Sequence, residues 1–300
     1  MRGLLFGTLL VAVLLVLAQQ QSLAQTTLYA GIGRGPGANR GEVITINQAT
    51  GVGTPLGSGA TDAAVGINGL AFDNTGDLYA TTISAPLFGD PQGVSTLIKI
   101  DPATGVQSAF IGAITASGNP IAITDLAVQP STNVLFGMSI NPALGEANLY
   151  TINKSTGAAT LVGGTGVLSA SIAFAPDGTL YATSAVFTPT GDFIAGFLNT
   201  LNPATGAVLS TAGPFLTHIG GLAVRPTDGV IFASGGFPGE IHTLSTAGVL
   251  TLLGTTGLGG VGDIAFIPPP TDKDQCKEGG YVKFGFRNQG QCIQYVNTGK

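Results

Sequence analysis

One unit recurs five times after Gln25, and a chain built from such repeats buries its apolar strands by stacking the copies on one another. The unit is an apolar strand, a short turn, and a second strand with an aromatic residue. Leu70-Ala71-Phe72 leads through a turn at Asp73 to Gly76 into Leu78-Tyr79-Ala80. Leu126-Ala127-Val128 leads to Val134-Leu135-Phe136, Ile172-Ala173-Phe174 to Leu180-Tyr181-Ala182, and Leu222-Ala223-Val224 to Val230-Ile231-Phe232. Ile264-Ala265-Phe266 is a fifth first strand, but it runs into Pro268-Pro269-Pro270. The missing second strand stands at the other end of the repeats, where Leu28-Tyr29-Ala30 has no first strand before it. Pairing the two half-units closes a ring and removes two open sheet edges.

Two more strands complete each unit. The third strands are Val43 to Ile46, Leu97 to Ile100, Leu149 to Ile152, Phe197 to Leu201 and Ile241 to Leu244. Four of them end in a turn of one pattern: Asn47 to Gly51, Asp101 to Gly105, Asn153 to Gly157 and Asn202 to Gly206. An Asp or Asn that accepts from backbone two residues on, followed by a left-handed glycine, is turn chemistry. The alanines at 71, 127, 173, 223 and 265 recur at intervals of 56, 46, 50 and 42 residues, the length of a four-stranded blade with its loops. The expected fold is all-β: a five-bladed β-propeller of four-stranded antiparallel blades, closed by N- and C-terminal strand pairing. Small residues suit innermost strands crowded around an axis, and the aromatics at strand spacing read as core between blades.

Composition narrows the function classes. Hydrophobic residues are 44% of the chain, which excludes disorder, and charged residues only 9%, with net charge −5. An acidic, Lys-poor surface excludes nucleic acid as a partner, because phosphate binding needs a basic stripe. No zinc spacing, phosphate loop or dinucleotide-binding glycine motif is present.

Ile172-Ala173-Phe174-Ala175-Pro176-Asp177-Gly178 with Leu180-Tyr181-Ala182, and Leu149-Tyr150-Thr151-Ile152-Asn153, resemble the units of bacterial secreted propellers of the YVTN and NHL-like type, and more distantly of the gluconolactonase type. The resemblance spans roughly residues 26 to 268 and rests on turns and core. It implies a fold; function has to be argued from a site.

Tight turns fall on one face of such a ring and longer connections on the other, and variable loops over a rigid scaffold are where binding residues gather. The long-loop face carries Arg34, Arg40, Asn68, Asp125, Asp192, Phe193, His218, Phe237, Glu240 and Asp263 as candidate ligand-binding residues. Asp125 and Asp263 share one repeat position, just before the innermost strand, and Asn68 lies one residue earlier in its own repeat. Oxygen ligands converging at the channel mouth could hold Ca²⁺ or another hard cation; the same carboxylates could instead cap loop amides. A gluconolactonase-type resemblance implies a metal site lined by carboxylates and Asn at this place, with Asn68, Asp125 and Asp263 as its residues, yet the remaining equivalent positions are Ser171 and Gly221. Of the two histidines, His218 lies in a loop and is the candidate acid or base, whereas His242 falls within a strand.

The two ends differ from the repeats. Residues 1–24 read as a signal peptide: Arg2, an apolar run from Leu4 to Ala18, and small residues at Ser22 and Ala24, with cleavage after Ala24. The run is short for a membrane span, and none follows in residues 25–268, read as the propeller. Residues 269–273 read as a proline-containing linker. Residues 274–300 form a tail holding both cysteines, Cys276 and Cys292, expected as a disulfide in an exported chain. The run Asp274 to Tyr281, Phe284 to Cys292 and Tyr295-Val296 resembles a short C-terminal tail of many bacterial secreted proteins, with Tyr281 where that family has Trp. The tail is expected to be an appendage that the ring does not need.

The functional expectation is a secreted, monomeric, non-catalytic binding propeller that engages a protein, glycan or small molecule through its long-loop face, without a required cofactor. The alternative is a metal-dependent lactonase-like hydrolase at the channel mouth.

Overall fold

The computed structural model describes residues 27–33, 39–57, 66–83, 94–141 and 145–299. Its strands form five sheets. The first three, β1 (Leu28–Ile32), β2 (Val43–Ile46) and β3 (Gly53–Pro55), belong to the closing blade. Blade 1 is β4 (Ile67–Phe72), β5 (Leu78–Ile83), β6 (Ser95–Ile100) and β7 (Gln107–Ala113). A small hairpin follows, β8 (Thr115–Ala116) and β9 (Asn119–Pro120). Blade 2 is β10 (Asp125–Val128), β11 (Leu135–Asn141), β12 (Glu146–Ile152) and β13 (Ala158–Gly164). Blade 3 is β14 (Ser169–Phe174), β15 (Leu180–Phe187), β16 (Phe193–Leu201) and β17 (Val208–Phe215). Blade 4 is β18 (Ile219–Val224), β19 (Ile231–Gly235), β20 (Glu240–Leu244) and β21 (Leu250–Thr255). The last strand, β22 (Val261–Phe266), returns to β1 as the innermost strand of blade 5.

Ring closure follows the complementary half-units. β1 and β22 pair antiparallel with Leu28 opposite Phe266, Tyr29 opposite Ala265 and Ala30 opposite Ile264. The innermost strands β4, β10, β14, β18 and β22 each touch the next around the axis. One connection departs from the expectation of a loop: residues 110–124 include the β8–β9 hairpin, which lies parallel on β13 and widens blade 2 to six strands.

Local chemistry explains the tight turns. Asn47, Asp101, Asn153 and Asn202 each accept the N–H two residues on at 2.9–3.0 Å. Gly51, Gly105, Gly157 and Gly206 then take φ of 70–77°, which a side chain disfavours. Between blades, the second-strand aromatic meets the end of the next innermost strand. Tyr29 packs edge-on to Phe72 at 5.0 Å, Phe136 to Phe174 at 5.2 Å and Phe232 to Phe266 at 5.3 Å. Tyr79 and Tyr181 share buried clusters with Val128 and Val224 in the same way.

The tail is docked, which corrects the expectation of an independent appendage. Cys276 and Cys292 form the disulfide and are fully buried. Phe284 and Phe286 join one apolar cluster with Tyr29, Leu70, Phe72 and Leu78. Phe284 sits against Gly76 in the β4–β5 turn, where a Cβ would come within 3.2 Å of its ring. Gln275 donates to the Asn74 carbonyl and Lys283 pairs with Asp77 at 3.1 Å. A helix, α1 (Gln289–Thr298), capped by the Asn288 side chain, carries Cys292 back to this seam. Tail and blade 1 supply apolar faces that neither can bury alone.

Candidate functional site

Each innermost strand runs from the long-loop face to the tight-turn face, so its first residues lie at one channel mouth. Four of these strands carry a register shift there, leaving Asn68, Ala170, Gly220 and Gly262 as the extra residues of bulges. The next position around the ring is Gly69, Asp125, Ser171, Gly221 and Asp263, and these five form an axial layer.

Asp125 and Asp263 are both fully buried in that layer. Asp263 accepts from Leu70 N of blade 1 at 2.6 Å and from Ile264 N at 2.7 Å. Asp125 accepts from Ile172 N of blade 3 at 2.8 Å and from Leu126 N at 2.5 Å. An innermost strand has a sheet partner on one side only, so its other edge presents bare N–H groups to the axis. The carboxylates satisfy two of these and tie blade 5 to blade 1 and blade 2 to blade 3. The amides they accept belong to innermost strands, two on the aspartates' own strands and two on neighbouring blades, rather than to loops.

The charge of Asp263 acts on Asp125 across the layer. Burial raises both above the ordinary carboxylate value, and Asp125 is raised further by the charge of Asp263 beside it. Glycine at 69 and 221 makes room: a Cβ on Gly221 would lie 2.7 Å from Asp263 Cα, and one on Gly69 3.0 Å from the Asp125 carbonyl carbon. Hydroxyls fill the layer's remaining polar positions from the second strands, with Ser171 Oγ 2.5 Å from Thr183 Oγ1 and with Thr81 and Ser234 opposite the two glycines.

Asn68 is not in this layer. As a bulge residue one step further out it is half-buried, and its strand neighbour Gly69 holds the equivalent position. The proposed metal trio is therefore a pair. Among the described residues, no three His, Cys, Asp or Glu side chains come together as a metal site would require.

At the long-loop end of blades 3 and 4 the structure gathers His218, Phe187 and Phe193, with ring centroids 5.8–5.9 Å apart. Burial lowers His218 below its ordinary 6.5, and among the described residues no carboxylate orients it. Phe237 is 66% exposed and Leu216, which sequence reasoning passed over, 83%. Asp192 closes its own hairpin by accepting from the Thr190 hydroxyl at 2.8 Å. Glu240 Oε2 lies 3.2 Å from His242 Nε2, a pairing made visible only by strand alternation along β20. Arg40 lies half-buried in the β1–β2 connection, and Arg34 lies outside the described residues.

Beyond the axial layer, toward the tight turns, the channel opens into a cavity of about 240 Å³. Its wall is three rings of side chains: Leu70, Leu126, Ile172, Leu222 and Ile264; then the five repeated alanines; then Phe72, Val128, Phe174, Val224 and Phe266. The alanines were legible as small axial residues, but nothing in their spacing announced a cavity.

No family model matches the chain, and no curated protein is similar to it in sequence. Solved structures resemble this chain remotely. TolB from Acinetobacter baumannii is 13% identical over 81% of this chain and 67% of its own, with a TM-score of 0.46. A glucose dehydrogenase is 12% identical over 76% of this chain and 86% of its own, with a TM-score of 0.44. A protein of unknown function from Bacteroides caccae is 11% identical over 81% of this chain and 99% of its own, with a TM-score of 0.41. Likeness this remote carries no role from them to this chain.

Proposed function

We propose that the chain is an exported, non-catalytic binding propeller that engages a protein, glycan or small molecule through the long-loop face. The observation that carries this reading is the commitment of the axial carboxylates. All four of their oxygens accept backbone N–H groups, so they are spent on holding strands in place rather than offered to a substrate. His218, the remaining acid–base candidate, has aromatic neighbours and no orienting carboxylate among the described residues. Exposed Leu216 and Phe237 give that face apolar anchors of the kind that dominate binding energetics. The buried disulfide fits an oxidising compartment.

The test has two arms. A panel of lactones and carboxylic esters, assayed with Ca²⁺ and with EDTA, is expected to show no turnover. Glycan and peptide arrays are expected to show binding that Leu216→Ser with Phe237→Ser removes while the melting temperature holds. Turnover abolished by Asp125→Asn in folded protein would instead establish the hydrolase reading.

A further inference from the structure

The tight-turn half of the channel has features that the long-loop face does not share. It is blind: the Leu70, Leu126, Ile172, Leu222 and Ile264 ring, at 0–2% exposure, seals its inner end beneath the carboxylate layer. The five alanines outside that ring keep 4–7% exposure each, and this residual surface is the cavity wall. Its rim is unusual in one respect. Pro130, Pro176, Pro226 and Pro268 stand at equivalent places just past four innermost strands, with Pro269 beside them. Proline has no N–H, so this rim offers an anion almost no donors. The polar side chains that line the cavity, Asn74 and Thr271, sit together where blade 1 meets the linker.

Space, shape and chemistry select the same occupant. A dry cavity of about 150 Å³ is enough to take up benzene, and filling apolar walls gains both hydrophobic transfer and dispersion contacts. The wall here rests on five strands fixed by sheet pairing, so it cannot collapse to remove the void. We propose that this cavity is a binding site for a compact, uncharged, apolar molecule of bicyclic arene size, with any single polar group directed at the Asn74 and Thr271 side of the rim. The site is separate from the long-loop face and goes beyond the binding role proposed for it.

Indole and naphthalene are suitable probes, since the chain has no Trp and indole excited at the red edge of its absorption is read apart from the six tyrosines. Titration of the full chain is expected to give saturable one-to-one binding with a blue-shifted emission, and a rise in melting temperature with probe concentration. Indole-3-acetate, which adds a carboxylate, is expected to bind at least about tenfold more weakly. Ala173→Leu and Ala223→Val, on different blades, each fill the void and are expected to weaken indole at least about tenfold, whereas Leu209→Ala, on the exposed outer strand of blade 3, leaves it unchanged. Failure of both probes to bind saturably overturns the proposal. So does undiminished binding in whichever filled variant keeps the wild-type circular dichroism spectrum, or equal affinity for the anion.

Discussion

Asp125 and Asp263 show how one residue type at one repeat position can serve the whole ring. Each carboxylate accepts an N–H from an adjacent innermost strand, and an alanine at either place would leave buried amides without partners. Each orphaned group costs about 1–3 kcal/mol. Asp125→Ala is therefore expected to lower the melting temperature by several degrees or more in thermal unfolding, and Asp125→Asn, which keeps an acceptor, by less. The pair also sets a pH dependence. Burial raises Asp263 to about 8 from its ordinary 3.8, and Asp125 is raised as well. The folded state thus binds protons more firmly than the unfolded chain. The stabilisation from this pair is complete below about pH 4 and is lost as pH rises through about 8. Wild-type melting temperature, relative to Asp125→Asn, is expected to fall between pH 5 and pH 9; a difference independent of pH would refute the upward shift of Asp125.

At the scale of elements, the tail and the β4–β5 turn act as one unit. Asp73 holds the turn by accepting from Thr75 and Asp77 and pairs with Lys154 of blade 2 at 2.7 Å. Asp77, despite the burial that opposes it, is lowered by Lys99 at 2.6 Å and Lys283 at 3.1 Å. Two phenylalanines of the tail, Phe284 at 2% and Phe286 at 8% exposure, are buried against Tyr29, Leu70, Phe72 and Leu78, and removing the tail removes that contact. Burying such a side chain contributes about 1.5–3 kcal/mol. Truncation after Pro270 is accordingly expected to lower the melting temperature by on the order of 5–10 °C. Cys276→Ser with Cys292→Ser should open residues 273–298 and the turn at 73–77 together in hydrogen exchange. Exchange confined to the tail would show that docking contributes nothing to the turn.

At the scale of the molecule, the ring depends on a pairing between segments more than 200 residues apart. Until β1 meets β22, the closing sheet lacks its middle and both strands present open edges. Deleting residues 27–32 is expected to replace cooperative unfolding with aggregation on size exclusion, because among the described residues every other strand already has its place in a sheet. Retention of a monomer with an unchanged melting temperature would mean that the ring closes by other contacts.

The sequence by itself determined the blade number, the strand order and the closure, because each rests on patterns a few residues long. The Ala and aromatic positions recur in every copy, the Asn- or Asp-to-Gly turn in four of the five, and two incomplete units match each other. It also brought out Asp125 and Asp263 as equivalent, but only tertiary structure decided what they do, since each accepts an amide on another blade, 47 and 193 residues away. The bulge that puts Asn68 out of the layer is a property of pairing and leaves no mark on composition. The docked tail was misread for a related reason: a proline run and a change in charge mark a boundary along the chain, whereas docking depends on whether two apolar faces meet in space. The axial cavity is likewise invisible in one copy, because its wall takes one strand from each of five blades, and a void appears only when those strands are set around one axis.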